Sequence, residues 1–271
     1  MSYKLREVTL PLLPKGHEAI RVLHFSDLHL TPKRKTEIAD IKSFADLKPD
    51  LVISTGDFLA HRDAVPVVLD ALAGLFDIPG LFVFGSNDYY EPVFKNPFRY
   101  LFKDDGDRKH GPELPWRGLS QSLTQLGWID LNQSKTTIKI KDTIIEARGT
   151  DDAHLNRDDY SKVAGKPKNC DFSIAVTHAP YMRLINAMSK DEIDLIFAGH
   201  THGGQVRLPW FGESKALTTN CDLPKWRSRG ATQDENQSWL NVSAGMGTSP
   251  FARIRLASPP EVSLITAPFV K

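Results

Sequence analysis

Five short motifs in the sequence are rich in aspartate, asparagine and histidine, and each of them follows an apolar run. In chain order they are Asp27-Leu28-His29, Gly56-Asp57, Gly85-Ser86-Asn87-Asp88, Thr177-His178 and Gly199-His200-Thr201-His202. Carboxylate, amide and imidazole ligands without thiolates suit Mn²⁺, Fe or Zn²⁺ at a reactive centre rather than a structural zinc site. Two such cations a few ångströms apart can clamp and hydrolyse a phosphate ester.

Each motif begins where a predicted strand ends. The strands that precede the motifs are predicted at residues 20–25, 51–54, 80–84, 173–176 and 195–198. Ligands of open α/β sheets bind beyond the carboxyl ends of the strands, so these strands would direct their polar residues into one crevice. A single histidine after a strand, or a single Gly-Asp pair, is usually an ordinary loop residue. The prediction of a metal centre therefore depends on all five motifs together.

The other patterns predict a layered α/β fold. Amphipathic helices are expected at residues 37–47, 63–76 and 120–126, a hairpin at 136–140 and 143–147, and late strands at 239–242 and 262–265. The alternation of strands and helices favours sheets covered by helices, and we expect a single domain over residues 1–271. Residues 91–118 hold four prolines and a charged run without periodicity, so we expect an insertion or lid over the site.

Composition excludes several classes of protein. The chain has 271 residues, 41% of them hydrophobic, and a formal net charge of +1, so no global field favours nucleic acid and such a partner is not expected. Cys170 and Cys221 lack the spacing of a disulfide scaffold or a zinc knuckle. No apolar run approaches the ~20 residues that span a bilayer, and residues 1–17 lack an apolar signal segment. We expect a cytoplasmic protein, with peripheral association at a membrane left open; the sequence does not indicate the oligomeric state.

The order Asp-x-His, Gly-Asp, Gly-Asn-His-Asp/Glu, His and Gly-His-x-His resembles the calcineurin-like metallophosphoesterase superfamily. The longer stretch Gly199-His200-Thr201-His202-Gly203-Gly204-Gln205 and the later Ser243-Ala244-Gly245-Met246-Gly247 are similar to its branch of small bacterial, often membrane-associated phosphohydrolases. The resemblance implies a four-layer sandwich of two mixed β-sheets flanked by helices, with a dinuclear metal site at the sheet edge.

Carried onto this sequence, the resemblance assigns the ligands of two divalent metal ions. Asp27, His29 and His202 would hold the first ion, and Asp57 would bridge both ions. The implied reaction is hydrolysis, in which a hydroxide between the metals, its pKa lowered by both cations, attacks phosphorus in line. The metals would stabilise the charge that develops on the non-bridging oxygens.

The second ion would be held by His178 and His200 with help from an amide oxygen, and here the sequence departs from the family pattern. Where the family has Gly-Asn-His-Asp or Gly-Asn-His-Glu, this chain has Gly85-Ser86-Asn87-Asp88. Ser86 therefore occupies the ligand position and Asn87 the histidine position. Because a neutral hydroxyl is a weaker ligand than an amide oxygen, we expect the loop to shift so that Asn87 rather than Ser86 reaches the metal.

The missing histidine normally stabilises transition-state charge or protonates the leaving group, and general acid catalysis typically contributes about 10²–10⁴-fold. Its loss is tolerable when the leaving group is a weak base, so we predict a phosphodiester or pyrophosphate substrate rather than an alkyl monoester. Alternatively, His61 or His154 replaces it as a catalytic residue beside Asp57, Asn87 and His200. Each of these two histidines could equally be a solvated loop residue.

Two further segments are candidates for contact with the substrate. The cluster Lys225-Trp226-Arg227-Ser228-Arg229 suits a phosphate or a membrane headgroup, or it is a solvated loop. Aromatic residues that could form a lid or simply pack follow the third motif; they are Tyr89, Tyr90, Phe94, Phe98, Tyr100 and Phe102. If both segments flank the site, an amphiphilic substrate such as a lipid- or cell-wall-linked phosphate is expected.

Other functions compete with a phosphodiester or pyrophosphate hydrolase. A phosphomonoesterase would use the same metals. A non-catalytic metal-binding scaffold on the same fold would bind a protein partner instead, but every Asp and His ligand is present in this chain, which weighs against a scaffold. A small phosphate ester or an amphiphilic phosphate is therefore the expected partner.

Overall fold

The computed structural model describes residues 2–93, 110–210, 213–251 and 255–269. The apolar runs identified above form strands that pair into two six-stranded sheets and one two-stranded ribbon. Both six-stranded sheets mix parallel and antiparallel pairs. None of the helices in this described part is long and apolar enough to span a bilayer.

The first sheet is built mainly from the first third of the chain. Its strands, in spatial order, are β1 (Lys4–Thr9), β14 (Glu261–Ala267), β2 (Ile20–Phe25), β3 (Leu51–Ser54), β4 (Gly80–Phe82) and β5 (Ile129–Asp130). The run from β2 to β5 is parallel, whereas β14 is antiparallel to β2. Because β2, β3 and β4 are parallel, their carboxyl ends carry the first three motifs to one edge.

The second sheet comes from the later part of the chain. Its strands, in spatial order, are β12 (Gly230–Gln233), β13 (Trp239–Val242), β9 (Leu195–Ala198), β8 (Phe172–Val176), β7 (Thr143–Gly149) and β6 (Ser134–Ile140). The four central strands are parallel, and an antiparallel strand lies at each side. The ribbon consists of β10 (Arg207–Trp210) and β11 (Glu213–Ala216). The carboxyl ends of β8 and β9 carry the last two motifs.

Helices cover the outer face of each sheet. The covering helices are α1 (Lys35–Lys42), α2 (Val65–Leu72), α4 (Trp116–Gln125) and α5 (Met182–Lys190), whereas the single turn α3 (Ser86–Tyr89) carries the third motif. The apolar faces of α1, α2 and α4 pack on the first sheet, and α5 packs on the second. Between the sheets lies a third apolar layer that includes Val22, Ile53, Ile174 and Phe197. The predicted arrangement of two mixed sheets flanked by helices is therefore confirmed.

Several predicted boundaries differ from those observed. The helix expected at 37–47 ends as α1 at Lys42, where the Ser43 hydroxyl donates to the carbonyl of Asp40 at 2.7 Å, and continues as a 3-10 turn. The helix expected at 63–76 likewise narrows to a 3-10 turn after Leu72. The strand expected at 80–84 ends at Phe82.

The predicted insertion at residues 91–118 is described only in part, because residues 94–109 lie outside the described residues, and so do Phe94, Phe98, Tyr100 and Phe102. At its ends, the amide of Glu91 donates to the carbonyl of Pro112 at 2.9 Å. α4 begins at Trp116, inside the predicted segment. A lid at this position stays a prediction.

Candidate metal centre

The loops that carry the motifs have an unusual backbone. Within the five motifs, the ligand-type residues with a positive φ are Asp27 (53°), His29 (45°), Asp57 (57°), His200 (68°) and His202 (48°). The left-handed region costs a non-glycine residue on the order of 1 kcal/mol, and such residues concentrate at functional sites. Two of the loops are also joined, because the amides of Asp27 and His29 donate to the carbonyls of Gly56 and Asp57, both at 2.9 Å.

Asp27 forms one group of potential ligands with His29 and His202. Asp27 Oδ1 lies 4.0 Å from His29 Nε2 and 3.7 Å from His202 Nε2. The other oxygen, Oδ2, accepts from the Ser26 hydroxyl at 2.6 Å and from the His200 amide at 3.1 Å. One oxygen of this buried carboxylate is therefore held by the protein, while the other faces two imidazoles.

Asp57 forms a second group with Asp27 and His178. Asp57 Oδ2 lies 3.5 Å from His178 Nε2 and 3.5 Å from His29 Nε2, so this carboxylate stands between the two groups. His178 Nδ1 donates to the carbonyl of Thr55 at 2.6 Å. This bond fixes the tautomer and leaves the lone pair of His178 on Nε2, the nitrogen that faces Asp57.

These residues fit a pair of cations. Within the described part of the chain, buried atoms without a hydrogen-bond partner include Asp27 Oδ1, both ring nitrogens of His29 and His178 Nε2. Buried polar atoms are normally satisfied, so a cluster of such atoms requires an explanation. Two ligand atoms about 2.1 Å from one ion lie roughly 3–3.5 Å apart, close to the separations observed here. A donor set of carboxylates and imidazoles suits Mn²⁺, Fe or Zn²⁺.

The charge states of His29 and His202 agree with this assignment, whereas His178, which is paired with Asp57, must release a proton before it can bind an ion. Burial lowers the pKa of His29 to about 4 and that of His202 to about 3, so both imidazoles are neutral, as metal ligands must be. Burial also lowers the pKa of His178, but the close carboxylate of Asp57 outweighs it and holds that pKa well above its usual value. The same pairing outweighs burial at Asp57 and holds its pKa well below the ordinary range.

Asp88, to which the sequence analysis gave no role, joins the loops after β3 and β4. Its two buried oxygens accept four backbone N–H groups: those of Asp57 (2.7 Å), Phe58 (2.7 Å), Leu59 (3.0 Å) and Gly85 (2.9 Å). Burial and the Asp57 charge raise the pKa of Asp88 to about 8, whereas the four donors favour its charged form. The signal in the sequence was its place at the end of the third motif.

Two motif glycines are required for close approach. A Cβ added to Gly85 would collide with Asp57 Oδ1 and with the His178 ring, and one added to Gly199 would collide with the Ser26 hydroxyl. A side chain at either position would displace a potential ligand or the group that orients it. Glycine is therefore required at these two positions for a steric reason, which the sequence analysis did not identify.

Asn87 lies against the carboxylate of Asp57, as expected of a group beside the second ion. Its backbone amide donates to Asp57 Oδ1 at 2.8 Å, and its side-chain Nδ2 donates to Asp57 Oδ2 at 2.6 Å. Ser86 lines the same pocket. The choice of Asn87 over Ser86 as ligand stays a prediction, since a turn of the amide would be needed to present its oxygen to a cation.

His200 stands beside the second group rather than inside it. Its Nε2 lies 3.2 Å from the carbonyl oxygen of Asn220, and its ring lies 5.2 Å from that of His178 and 4.4 Å from that of His154, between centroids. A pocket opens here, and residues from four of the motifs line it: His29, Asp57, Ser86, Asn87, His200, Thr201 and His202.

His154 lies in this pocket and is buried. It belongs to the 3-10 turn Ala153–Leu155, and the side chain of the N-cap residue Asp152 accepts the amide of His154 at 3.0 Å. Its Nδ1 lies 3.2 Å from the hydroxyl of Tyr181. The alternative that His154 is a solvated loop residue is therefore not what the structure shows.

His61 is not brought to the same place. Its side chain is 40% exposed, and its Nδ1 accepts the amide of Asp63 at 3.1 Å. It lines a neighbouring groove with Thr31 and Arg34 instead of the pocket that holds Asp57. Of the two candidate replacements for the missing histidine, only His154 lies at the centre.

Arg255 is a further charged group that the sequence analysis missed. Its Nη2 lies 3.3 Å from His202 Nδ1 and donates to the carbonyls of Gly245 (3.1 Å) and Gly247 (2.5 Å). Burial lowers its pKa to about 10, which leaves the guanidinium charged at neutral pH. Its position near the late glycine motif becomes apparent only in the folded chain.

The basic cluster at residues 225–229 is only partly solvated. Trp226 is 70% exposed, whereas Arg227 is buried and donates through Nε to the Thr232 hydroxyl at 2.9 Å. Of the aromatic residues after the third motif, Tyr89 is buried and its hydroxyl donates to Asp151 at 2.6 Å, while Tyr90 lines the pocket.

Comparison with known proteins agrees with this geometry. A family model described as calcineurin-like phosphoesterase matches residues 20–204, a range that contains all five motifs. The chain is 25% identical over 269 residues to the uncharacterized metallophosphoesterase YkuE of Bacillus subtilis, covering 94% of this chain and 81% of that protein.

The chain is also 24% identical over 281 residues to the UDP-2,3-diacylglucosamine pyrophosphatase LpxG of Chlamydia trachomatis, covering 91% of this chain and 83% of that protein. A solved structure described as a novel archaeal phosphodiesterase matches 84% of this chain with a TM-score of 0.41 and 13% identity, and the match covers 85% of that protein. The family match spans most of the chain, including all five motifs identified in its sequence. The chain therefore belongs to the calcineurin-like phosphoesterase family and is a metal-binding hydrolase of phosphoric ester bonds.

Proposed function

We propose that this protein hydrolyses a phosphodiester or pyrophosphate bond at a centre of two divalent cations. The observation that carries the proposal is the position of Asp57, whose Oδ2 lies 3.5 Å from an imidazole nitrogen of each ligand group. Asp27, His29 and His202 would hold one ion, and Asp57 would contribute to both. When bound, the cations would polarise the phosphate oxygens and supply a hydroxide nucleophile at neutral pH.

The second ion would be held by His178, with Asn87 and His200 beside it. The Thr55 carbonyl orients the His178 ring through Nδ1, so its Nε2 lone pair is available to a metal. Asp88 keeps the Asp57 loop rigid by accepting its backbone amides. Rigid placement of ligands is what allows charge stabilisation without reorganisation during the reaction.

His154 would take over part of the role of the family's third-motif histidine, whose position in this chain is occupied by Asn87. Its buried ring is backed by Tyr181 and stands 4.4 Å, between centroids, from that of His200. An imidazole in this position can donate a hydrogen bond to a phosphate oxygen or a proton to the leaving group. Its help would matter least for leaving groups that are already weak bases.

The substrate class follows from the amide at residue 87. An asparagine cannot transfer a proton, so protonation of the leaving group would depend on His154 alone, and a phosphate or acidic alcohol, which needs this help least, suits the centre better than an alkoxide. The relative LpxG is named as a pyrophosphatase of a diacylated sugar nucleotide, which supports a pyrophosphate that carries apolar chains. The exposed Trp226 beside basic residues also suits peripheral contact with a lipid surface.

The test compares an aryl phosphodiester with an aryl phosphomonoester as substrates of metal-stripped protein, with Mn²⁺, Zn²⁺ or Mg²⁺ added back in turn. We expect one of these metals to restore hydrolysis of the diester in preference to the monoester. Asp57→Asn is the control, and it should remove the metal-dependent rate. Preferred turnover of the monoester would identify a phosphomonoesterase and contradict the substrate class. Tight metal binding without turnover of any phosphate ester would favour the non-catalytic scaffold.

A further inference from the structure

A buried chain of hydrogen bonds connects the second sheet to the metal centre through the first sheet. Asn241, on β13, donates from Nδ2 to Nδ1 of His24, on β2, at 2.7 Å. His24 Nε2 lies 3.1 Å from the Thr55 hydroxyl, and the Thr55 carbonyl accepts from His178 Nδ1 at 2.6 Å. All four residues are 0% exposed. The chain of contacts thus ends on a proposed ligand of the second ion.

The protonation state of His24 decides which of its ring nitrogens donates and which accepts in this series of hydrogen bonds. Burial lowers the pKa of His24 to about 3, so the ring is neutral and has one donor and one acceptor nitrogen. Because Asn241 donates to Nδ1, the proton lies on Nε2, which donates to the hydroxyl of Thr55. The ring of Phe197 packs against His24 at 5.0 Å between centroids and an interplanar angle of 73°, which limits rotation of the imidazole.

The surroundings argue against a purely stabilising role. His24 and Asn241 stand in the layer between the sheets, where their neighbours Val22, Ile53 and Phe197 are apolar. Buried polar side chains usually contribute no more to stability than well-packed apolar ones of similar size. Within the described residues Asn241 Oδ1 has no hydrogen-bond partner, which adds a cost. A positional function explains better why polar groups occupy this layer.

The ligands of the centre come from both sheets. Asp27 and Asp57 follow strands of the first sheet, whereas His178 follows β8 of the second. Thr55 is the contact point, since its backbone follows β3 while its carbonyl binds His178. Any shift of Thr55 would move the His178 imidazole relative to Asp57, because the hydrogen bond from Nδ1 to the Thr55 carbonyl sets the plane of the ring.

We propose that His24 is a positioning residue, which together with Asn241 holds Thr55 so that its carbonyl fixes the His178 imidazole for the second metal ion. The inference rests on the proposed function, in which His178 and Asp57 bind that ion. Partners that orient metal-binding histidines typically change metal affinity by about 10–100-fold when they are removed. The first ion, held by Asp27, His29 and His202, receives no contact from this chain of hydrogen bonds.

The experiment measures Mn²⁺ binding to metal-stripped protein by calorimetry, independently of activity. We expect wild type to bind two ions. His24→Leu should weaken the second binding event by about 10–100-fold and change the first by less than about threefold. His24→Gln, which retains an amide donor and a carbonyl acceptor, should recover part of the loss. Thr55→Val removes only the hydroxyl that His24 binds and serves if His24→Leu does not fold.

The matched control is Ile53→Ala, which creates a cavity beside His24 on the neighbouring strand but leaves the hydrogen bonds intact. We expect it to lower thermal stability while both Mn²⁺ affinities stay near those of wild type. Unchanged affinities in folded His24→Leu or Thr55→Val would overturn the inference, and so would an equal loss at both sites that Ile53→Ala reproduces. Failure of wild type to bind two ions would instead overturn the proposed function and the inference with it.

Discussion

At the scale of single residues, the proposed chemistry depends on which histidine can assist the reacting phosphate, because residue 87 is an asparagine instead of the family's histidine. His154 is buried beside His200 and backed by Tyr181, whereas His61 is exposed and lines a neighbouring groove. The two histidines therefore form a natural pair for comparison. One lies in the pocket that holds Asp57, and the other has the same chemistry outside it.

We expect His154→Ala to lower kcat toward a phosphodiester by about 10²-fold or more, because the variant loses a group that stabilises or protonates the reacting phosphate. The loss should be larger for an alkyl leaving group than for a nitrophenolate, which needs no proton. His61→Ala should stay within about twofold of wild type. Equal kinetics of the two variants across a series of leaving groups would contradict a catalytic role for His154.

At the scale of elements, Asp88 shows how one side chain can hold two loops together. Its oxygens accept the amides that begin the loop after β3 and the amide of Gly85 after β4. An amide side chain cannot reproduce this pattern, since its NH₂ group would face N–H donors. We expect Asp88→Asn to lower the free energy of unfolding by about 1–3 kcal/mol, as measured by urea denaturation.

The control for this variant is Asp63→Asn, because the Asp63 side chain is 71% exposed and accepts no backbone amides of the ligand loops. It should change the free energy of unfolding by no more than about 0.5 kcal/mol. Similar stabilities of the two variants would show that the four bonds to Asp88 contribute little.

Gly85 provides a second prediction at this scale. Gly85→Ala places a methyl group against Asp57 and the His178 ring, so we expect a folded protein whose second metal ion binds at least about tenfold more weakly. Gly118, in α4, has open space around it, and Gly118→Ala should raise stability by about 0.5–1 kcal/mol without affecting metal binding. Calorimetric titration with Mn²⁺ measures both variants, and wild-type affinity in Gly85→Ala would contradict the steric argument.

At the scale of the whole molecule, metal binding should stabilise the fold, because the ligands come together only in the native state. At about 100 times Kd each occupied site adds about 2.7 kcal/mol, which corresponds to on the order of 5–10 °C in Tm. Thermal melts of stripped protein with and without Mn²⁺ measure this shift. Asp57→Asn should show less than half of it, and a shift of full size in that variant would argue for binding elsewhere.

How much of the fold the sequence could predict depends on how deeply each element is buried. The strands at 20–25, 51–54, 195–198 and 239–242 were predicted with their observed bounds, since strands buried on both faces appear as continuous apolar runs. β1 and β12 were not predicted, because their half-exposed residues lack such a run, and the ribbon was not predicted either. α5 was also missed, although its buried face packs on the second sheet.

Within the site, the residues in short motifs could be predicted because each motif ends a strand, and strand ends converge in this fold. Asp88, Arg255 and His24 could not be assigned roles, since their partners lie on segments that are distant in sequence. Asn87 could be anticipated beside Asp57 only by weighing amide against hydroxyl chemistry. Its role as a ligand stays a prediction.

The division of the centre between two sheets also affects how fast the protein unfolds. A cation held between Asp57, after β3, and His178, after β8, would cross-link the sheets at their shared edge. Separation of the sheets would then have to wait for the cation to leave. Unfolding of the loaded protein would be limited by metal release, so a chelator would shorten its lifetime under proteolysis.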